Sequence, residues 1–228
     1  MKVPLTGYGW PQVVIYPGIL LLLMLLIAMF GAHHIPMSGL IVTEVLLALV
    51  LGWALSFFRD PPRDCPQSRE VLLSPADGRV TDVEVIEDNV LPGGPILRIG
   101  IFLSIFNVHI NRAPCRVQTE TTTYKPGLYR NALNPESSRV NESNTILFTQ
   151  QHAPHDRLAV RQISGAIARH IVCRIEQGQI LDAGEKFGMI KFGSRTELYV
   201  PARDELNCQV SVGDTVKAGL TVLARYTV

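Results

Sequence analysis

The chain opens with two long apolar stretches and then changes character. Residues 13–30 carry no charge and include an unbroken apolar run from Leu20 to Ile27. After a break around His33, His34 and Pro36, residues 39–58 form a second stretch whose only charge is Glu44. Each is close to the roughly 20 residues that a helix needs to cross a bilayer, so the pattern predicts a transmembrane hairpin within residues 1–58, with helices over about 13–31 and 39–58. A cleaved signal peptide fits poorly: there are two runs, Lys2 is the only basic residue ahead of them, and no small-residue cleavage site follows the first. The loop between the runs lacks Lys and Arg, whereas Arg59, Arg63 and Arg69 follow the second. By the positive-inside rule everything after Phe58 is expected on the cytoplasmic side of the cell (inner) membrane.

Beyond the apolar stretches the period shifts to two. Residues 59–70, with Pro61-Pro62 at their centre, read as a linker. Residues 79–86 alternate polar and apolar, as a half-buried strand does. Residues 96–105, 115–124, 145–149, 157–163 and 170–175 continue the strand signals, and 188–191 and 197–200 flank Phe192-Gly193-Ser194. Turn pairs punctuate the series at Asp77-Gly78, Gly93-Gly94, Pro126-Gly127 and Gly213-Asp214. Residues 129–143 are polar and rich in Asn and Ser, which predicts a long loop. Residues 210–219, short strands around Gly-Asp and Ala-Gly, suggest the sandwich of lipoyl and biotinyl carriers. The expected fold is therefore mainly β: a helical hairpin, then a β-rich domain over residues 71–228 with lipoyl-like features. A carrier needs an exposed lysine at a hairpin tip. Lys191 matches that poorly, because Phe192-Gly193-Ser194 follows where the returning strand should begin.

Composition narrows the function more by exclusion than by assertion. The net charge of +1 gives no electrostatic claim on nucleic acid. Cys65, Cys115, Cys173 and Cys208 are scattered, with no Cys-x-x-Cys pair, so neither zinc nor a redox centre is expected, and no metal site at all.

Three stretches carry candidate chemistry. Ser74-Pro75-Ala76-Asp77-Gly78-Arg79-Val80 offers a carboxylate, though Asp-Gly also makes an ordinary hairpin corner. In Phe106-Asn107-Val108-His109-Ile110-Asn111-Arg112-Ala113-Pro114 an apolar strand delivers His109, which in isolation reads as a core histidine. Gly193-Ser194, the only Gly-Ser pair in the chain, lies between two strands. Together they supply a carboxylate, an imidazole base and a hydroxyl, the parts of a nucleophilic triad.

In the sequence around each of these residues, the chain resembles the phosphatidylserine decarboxylase proenzyme family, in particular its short, membrane-anchored form. The resemblance extends to Phe57-Phe58-Arg59-Asp60-Pro61, Asn141-Glu142, residues 168–172 and Phe192-Gly193-Ser194-Arg195. It implies that Asp77 orients His109 and that His109 takes the proton of Ser194. The Ser194 oxygen then attacks the Gly193 carbonyl, and cleavage yields chains 1–193 and 194–228, which stay together as a heterodimer. Ser194 becomes a covalent pyruvoyl group that forms a Schiff base with the substrate amine and holds the electrons left by loss of CO2. The implied reaction turns phosphatidylserine, drawn from membrane lipid, into phosphatidylethanolamine. Longer relatives carry a histidine where this chain has Phe106, so the acid that protonates the carbanion is open, with His109 a candidate for both steps. Phe106, Asn141 and Glu142 are candidate substrate contacts. A homo-oligomer is left open. The rival readings are a decarboxylase of another amino-acid-headed lipid or amine, and a non-enzymatic, membrane-tethered lipoyl-like adaptor.

Overall fold

A computed structural model describes residues 4–31, 33–134, 136–166, 170–191 and 193–227. Phe192 and Ala168, both within motifs quoted above, lie outside the described residues. The chain divides into two compact units, Met1–Pro62 and Arg63–Val228.

The first unit is built on α1 (Gln12–Gly31) and α2 (Met37–Phe57), both long and apolar enough to cross a membrane. Their apolar side chains are largely uncovered by protein, for example Leu21, Leu25, Leu46 and Leu49. A helix apolar all round calls for a non-aqueous surround. Pro17 sits in the second turn of α1. The segment before α1 returns to the end of α2: Thr6 N–H donates to Phe58 O at 2.9 Å and Asp60 N–H to Pro4 O at 2.7 Å.

The second unit is mainly β, as the alternation predicts. Its strands are β1 (Val71–Leu73), β2 (Gly78–Ile86), β3 (Ile96–Leu103), β4 (Ile110–Arg112), β5 (Val117–Lys125), β6 (Ser143–Gln150) and β7 (Arg157–Ile163). They continue with β8 (Ile171–Cys173), β9 (Ile180–Leu181), β10 (Lys186–Ile190), β11 (Ser194–Pro201), β12 (Leu206–Cys208), β13 (Thr215–Val216) and β14 (Val222–Tyr226). An eight-stranded antiparallel sheet runs in the order β13-β2-β3-β11-β7-β6-β5-β9, beside two three-stranded sheets, β1-β14-β12 and β4-β10-β8. A lipoyl-like sandwich is a finer description that this topology accommodates.

Two local readings change. Asp77-Gly78 is not a hairpin corner, because β1 pairs with β14 while β2 pairs with β3 and β13. The stretch at 129–143 is not loop throughout: it holds one helical turn, α3 (Ser137–Val140), and its last residue opens β6.

One face of the large sheet makes the main core. Ile99, Ile101 and Leu103 of β3, Leu198 and Val200 of β11, Leu158 and Val160 of β7, and Ile146 and Phe148 of β6 meet there. Strand β11 lies between β3 and β7 and is buried along nearly its whole length. A strand covered on both faces shows little alternation. That explains why only residues 197–200 of β11 stand out in the sequence.

Candidate active site

The Gly193–Ser194 bond lies where the chain passes from one sheet to another. β10 runs antiparallel to β4, with Met189 opposite Ile110, and Ile190 N–H donates to His109 O at 3.2 Å. β11 begins at Ser194, opposite Leu103 of β3. The switch takes place at Gly193, whose φ of +59° is left-handed. A Cβ there would have room, its nearest neighbour being Ile105 Cγ2 at 3.8 Å. Glycine is therefore needed at 193 for conformation, not for space.

The inner face of the large sheet becomes polar toward this end. Continuing the two-residue period from Val200, Leu198 and the core, one reaches Thr196 and Ser194 on β11, Gln162 on β7 and Asn144 on β6. Asn144 Nδ2 donates to Gln162 Oε1 (3.0 Å), Gln162 Nε2 to Asn111 Oδ1 (2.9 Å), and Asn111 Nδ2 to Thr196 Oγ1 (3.0 Å) and Pro75 O (3.3 Å). All four side chains are buried, so each bond replaces one otherwise made to water. The chain of amides ties β4 to the large sheet, and His109 is the residue before β4.

His109 is fully buried. Its Nδ1 is 3.0 Å from Asn107 O, and its Nε2 accepts the Gly193 N–H at 3.3 Å. A carbonyl can only accept, so Nδ1 carries the proton and the Nε2 lone pair faces residue 193. This is the neutral tautomer that a base at Nε2 requires. The Asn107 carbonyl is held in turn by a tight turn, in which Asn107 Oδ1 accepts from Ser104 N–H and Ser104 Oγ, both at 2.8 Å.

Ser194 Oγ is buried and has no hydrogen-bond partner among the described residues. An orphaned buried hydroxyl is costly and calls for an explanation, and a reactive role is one of those it admits. The buried Oγ, the left-handed glycine before it and the His109 Nε2 that accepts that glycine's N–H thus meet at one peptide bond.

Asp77 is placed differently from the expectation. Its carboxylate is gripped by Arg63, Nη1 to Oδ1 at 2.6 Å and Nη2 to Oδ2 at 2.8 Å, and Oδ1 also accepts Ala218 N–H at 2.8 Å. Arg63 donates as well to Ala218 O at 2.6 Å. The imidazole is thus oriented by a backbone carbonyl, while Asp77 holds the 74–78 turn. That turn reaches the base at one remove, since Pro75 O accepts Arg112 N–H at 3.0 Å and Asn111 Nδ2.

The candidate substrate contacts separate. Asn141 is buried and spends its side chain on backbone: Oδ1 accepts Arg130 N–H (2.9 Å), and Nδ2 donates to Arg130 O and Ser164 O (both 2.8 Å). Glu142 is buried and accepts from Tyr124 OH at 3.0 Å. Both organise the 126–142 segment. Phe106 is 69% exposed on the loop that carries His109.

Several residues of the site have no signature in the sequence. Arg63 reads only as a topogenic charge, and the Asn111–Gln162–Asn144 chain links three separate strands. Lys191, two residues before Gly193, is buried; burial, helped by the Arg174 charge, holds its ammonium below the ordinary lysine value. The four cysteines are free, and burial pushes the Cys115 thiol up to about 12, which makes it inert. A groove of about 520 Å³ lined by Lys125, Arg139, Thr145 and Arg161 includes none of Asp77, His109 or Ser194.

Fold and site together define a class: a mainly β protein with an N-terminal pair of apolar helices and a buried serine directly after a left-handed glycine. Known proteins supply the family. The phosphatidylserine decarboxylase family matches residues 50–224. A phosphatidylserine decarboxylase proenzyme of Rhodopirellula baltica is 41% identical over 187 residues, covering 82% of this chain and 76% of that protein. One from Magnetococcus marinus is 36% identical over 81% of this chain and 83% of its own length. One from Azorhizobium caulinodans is 37% identical over 98% of this chain and 90% of its own length. The chain belongs to the phosphatidylserine decarboxylase family.

Proposed function

We propose that this chain is the precursor of a pyruvoyl-dependent enzyme that cleaves itself between Gly193 and Ser194 and then decarboxylates phosphatidylserine to phosphatidylethanolamine. Beyond family membership, one observation carries the reading: Ser194 Oγ is buried, and unpartnered among the described residues, directly after a left-handed glycine whose N–H meets His109 Nε2.

His109 is the base. In the precursor its Nε2 accepts from Gly193 N–H, and the scheme requires the Ser194 Oγ–H to reach the same lone pair. Such bonds commonly tighten only as reaction begins. Oγ bonds to the Gly193 carbonyl carbon while its proton passes to Nε2. That proton then goes to the Ser194 nitrogen as the C–N bond breaks, leaving an ester and a free amine. Loss of the Ser194 α proton with departure of Oγ as the Gly193 carboxylate separates the chains and leaves dehydroalanine, which water converts to the pyruvoyl group with release of ammonia. Asp77 is a positioning residue in this scheme: paired with Arg63, it fixes the turn whose Pro75 carbonyl holds β4 and with it His109.

A pyruvoyl carbonyl at residue 194 supplies the electron sink that decarboxylation needs and that no ordinary side chain provides. The chain's own contribution is to hold that residue. Ser194 is bracketed by β3 and by the β7 side of the large sheet, so chains 1–193 and 194–228 remain one folded body after the cut. His109, protonated at Nε2, is the acid proposed to return a proton to the substrate carbon. Phe106, exposed on the same loop, is proposed to contact substrate lipid. The two apolar helices anchor the protein in the membrane, and Arg59, Arg63 and Arg69 place the β domain on the cytoplasmic side.

The test is Ser194→Ala in the full chain. By intact mass it should stay one chain and be inactive, whereas the parent gives a fragment ending at Gly193. Full activity in Ser194→Ala removes the proposal.

A further inference from the structure

We infer that Gly165 is a positioning residue for self-cleavage, forming the wall against which the Gly193 carbonyl rests while Ser194 attacks it. Register leads to it first. β11 pairs with β7 with Arg195 opposite Ile163, so continuing that antiparallel register by two residues sets Gly193 opposite Gly165. Packing gives the same result. A Cβ added at Gly165 would overlap Gly193 O and come within 3.0 Å of Gly193 C, with Ala132 Cβ at 3.3 Å.

The two glycines answer opposite needs. Gly193 is left-handed with open space around its missing side chain, whereas Gly165 is not among the glycines with positive φ. Its backbone suits any L-residue, so what requires glycine at 165 is the scissile carbonyl itself. The wall is braced from behind. Ser164 N–H and Oγ both donate to Glu142 O (3.0 and 3.2 Å), and Asn141 Nδ2 donates to Ser164 O at 2.8 Å. This gives the buried Asn141 a purpose: it ties the 126–142 segment to the residue before the wall.

The inference rests on the proposed cleavage, in which Oγ bonds to the Gly193 carbon, the Oγ proton travels through His109 to the Ser194 nitrogen, and the C–N bond breaks. A methyl at 165 forces the carbonyl back by roughly 1 Å, and a misplacement of that size costs about 100-fold in rate. Full-length Gly165→Ala should therefore form the 194–228 fragment about 100-fold more slowly by intact mass. Hydroxylamine, which cuts esters, should not release the fragment from it, because the blocked step is formation of the ester. Ala132→Gly added to Gly165→Ala should give no rescue, since the obstacle is the carbonyl and not the alanine. Melting of Gly165→Ala in the uncuttable Ser194→Ala background reports whether the fold survives. If it does not, Asn141→Ala, which adds no atom, decides: it too should slow cleavage without hydroxylamine release. Parental cleavage rates in a folded Gly165→Ala, rescue by Ala132→Gly, or parental rates in Asn141→Ala where Gly165→Ala misfolds overturns the inference. A parent that never cleaves sinks the cleavage reading instead, so the two failures are distinguishable.

Discussion

Replacing Arg195 with leucine strips the charge from the residue next to Ser194 without touching the inner face. Arg195 is wholly buried on the outer face of the large sheet. Its guanidinium donates to Asp82 Oδ2 (2.5 Å), Glu197 Oε1 (2.8 Å) and Thr81 Oγ1 (2.6 Å), and Glu197 also accepts from Tyr199 OH at 2.5 Å. Leucine leaves two carboxylates buried without their main cation, a loss of about 3–5 kcal/mol. Arg98 remains 3.3 Å from Asp82 and Arg161 4.0 Å from Glu197, which places the cost near the lower bound. For a chain of this size, about 3 kcal/mol corresponds to a fall in melting temperature of about 6–12 °C. The assay is thermal unfolding of the full chain in detergent, with Ser194→Ala as parent so that both proteins stay uncut. Adding Asp82→Leu and Glu197→Leu should recover most of the loss, because replacing a whole buried ion cluster by apolar groups is often neutral. A single Arg195→Leu that melts with its parent refutes the reasoning. The cluster would then contribute nothing to holding β11, whose first residue is the proposed new chain end.

Three further outcomes follow from the same geometry. His109→Gln should stay uncut by intact mass while folding normally, because glutamine fills the space but offers no base at Nε2; normal processing removes His109 from the scheme. Arg63→Leu should slow cleavage and lower the melting temperature, since Asp77 keeps only the Ala218 N–H, and Arg63→Leu/Asp77→Leu should recover stability relative to Arg63→Leu. Burial pushes the Asp82 carboxyl up, but the Arg195 charge and the bonds from Arg195 and Thr81 outweigh it and leave its pKa below the ordinary carboxylate value. A depressed carboxylate contributes stability that is full above its unfolded pKa, about 3.9, and is lost as pH falls through the lower folded value. Melting temperature should therefore drop below about pH 4, and less steeply in Asp82→Asn; equal slopes contradict the assignment.

Local periodicity made much of this fold legible. The apolar runs predict α1 and α2 to within two residues, because a spanning helix is defined by length and composition alone. The alternation at 157–163 gives the bounds of β7, since an outward Arg161 breaks up the inward Leu158, Val160 and Gln162. Where burial is two-sided the signal fades, and the start of β11 at Ser194 is one such place. The site is legible in its residue types and not in its pairings. Asp, His and Ser stand out as chemistry, yet Asp77 pairs with Arg63 across the linker, and His109 takes its orientation from the carbonyl of Asn107. Gly165 carries no signal in the sequence, and only the register of β7 against β11 brings it opposite Gly193. Asn141 illustrates the limit: a polar residue in a polar stretch looks like a contact for ligand, and only its three bonds to backbone reveal a brace.

The state of residue 194 in the purified full-length protein tests the central claim most directly. Intact-mass analysis should find two chains, 1–193 and 194–228, the second lighter by one ammonia than a chain starting with serine, with its terminal carbonyl reactive toward a hydrazide probe. Decarboxylation of phosphatidylserine by a preparation made up wholly of uncut 228-residue chain would contradict the account.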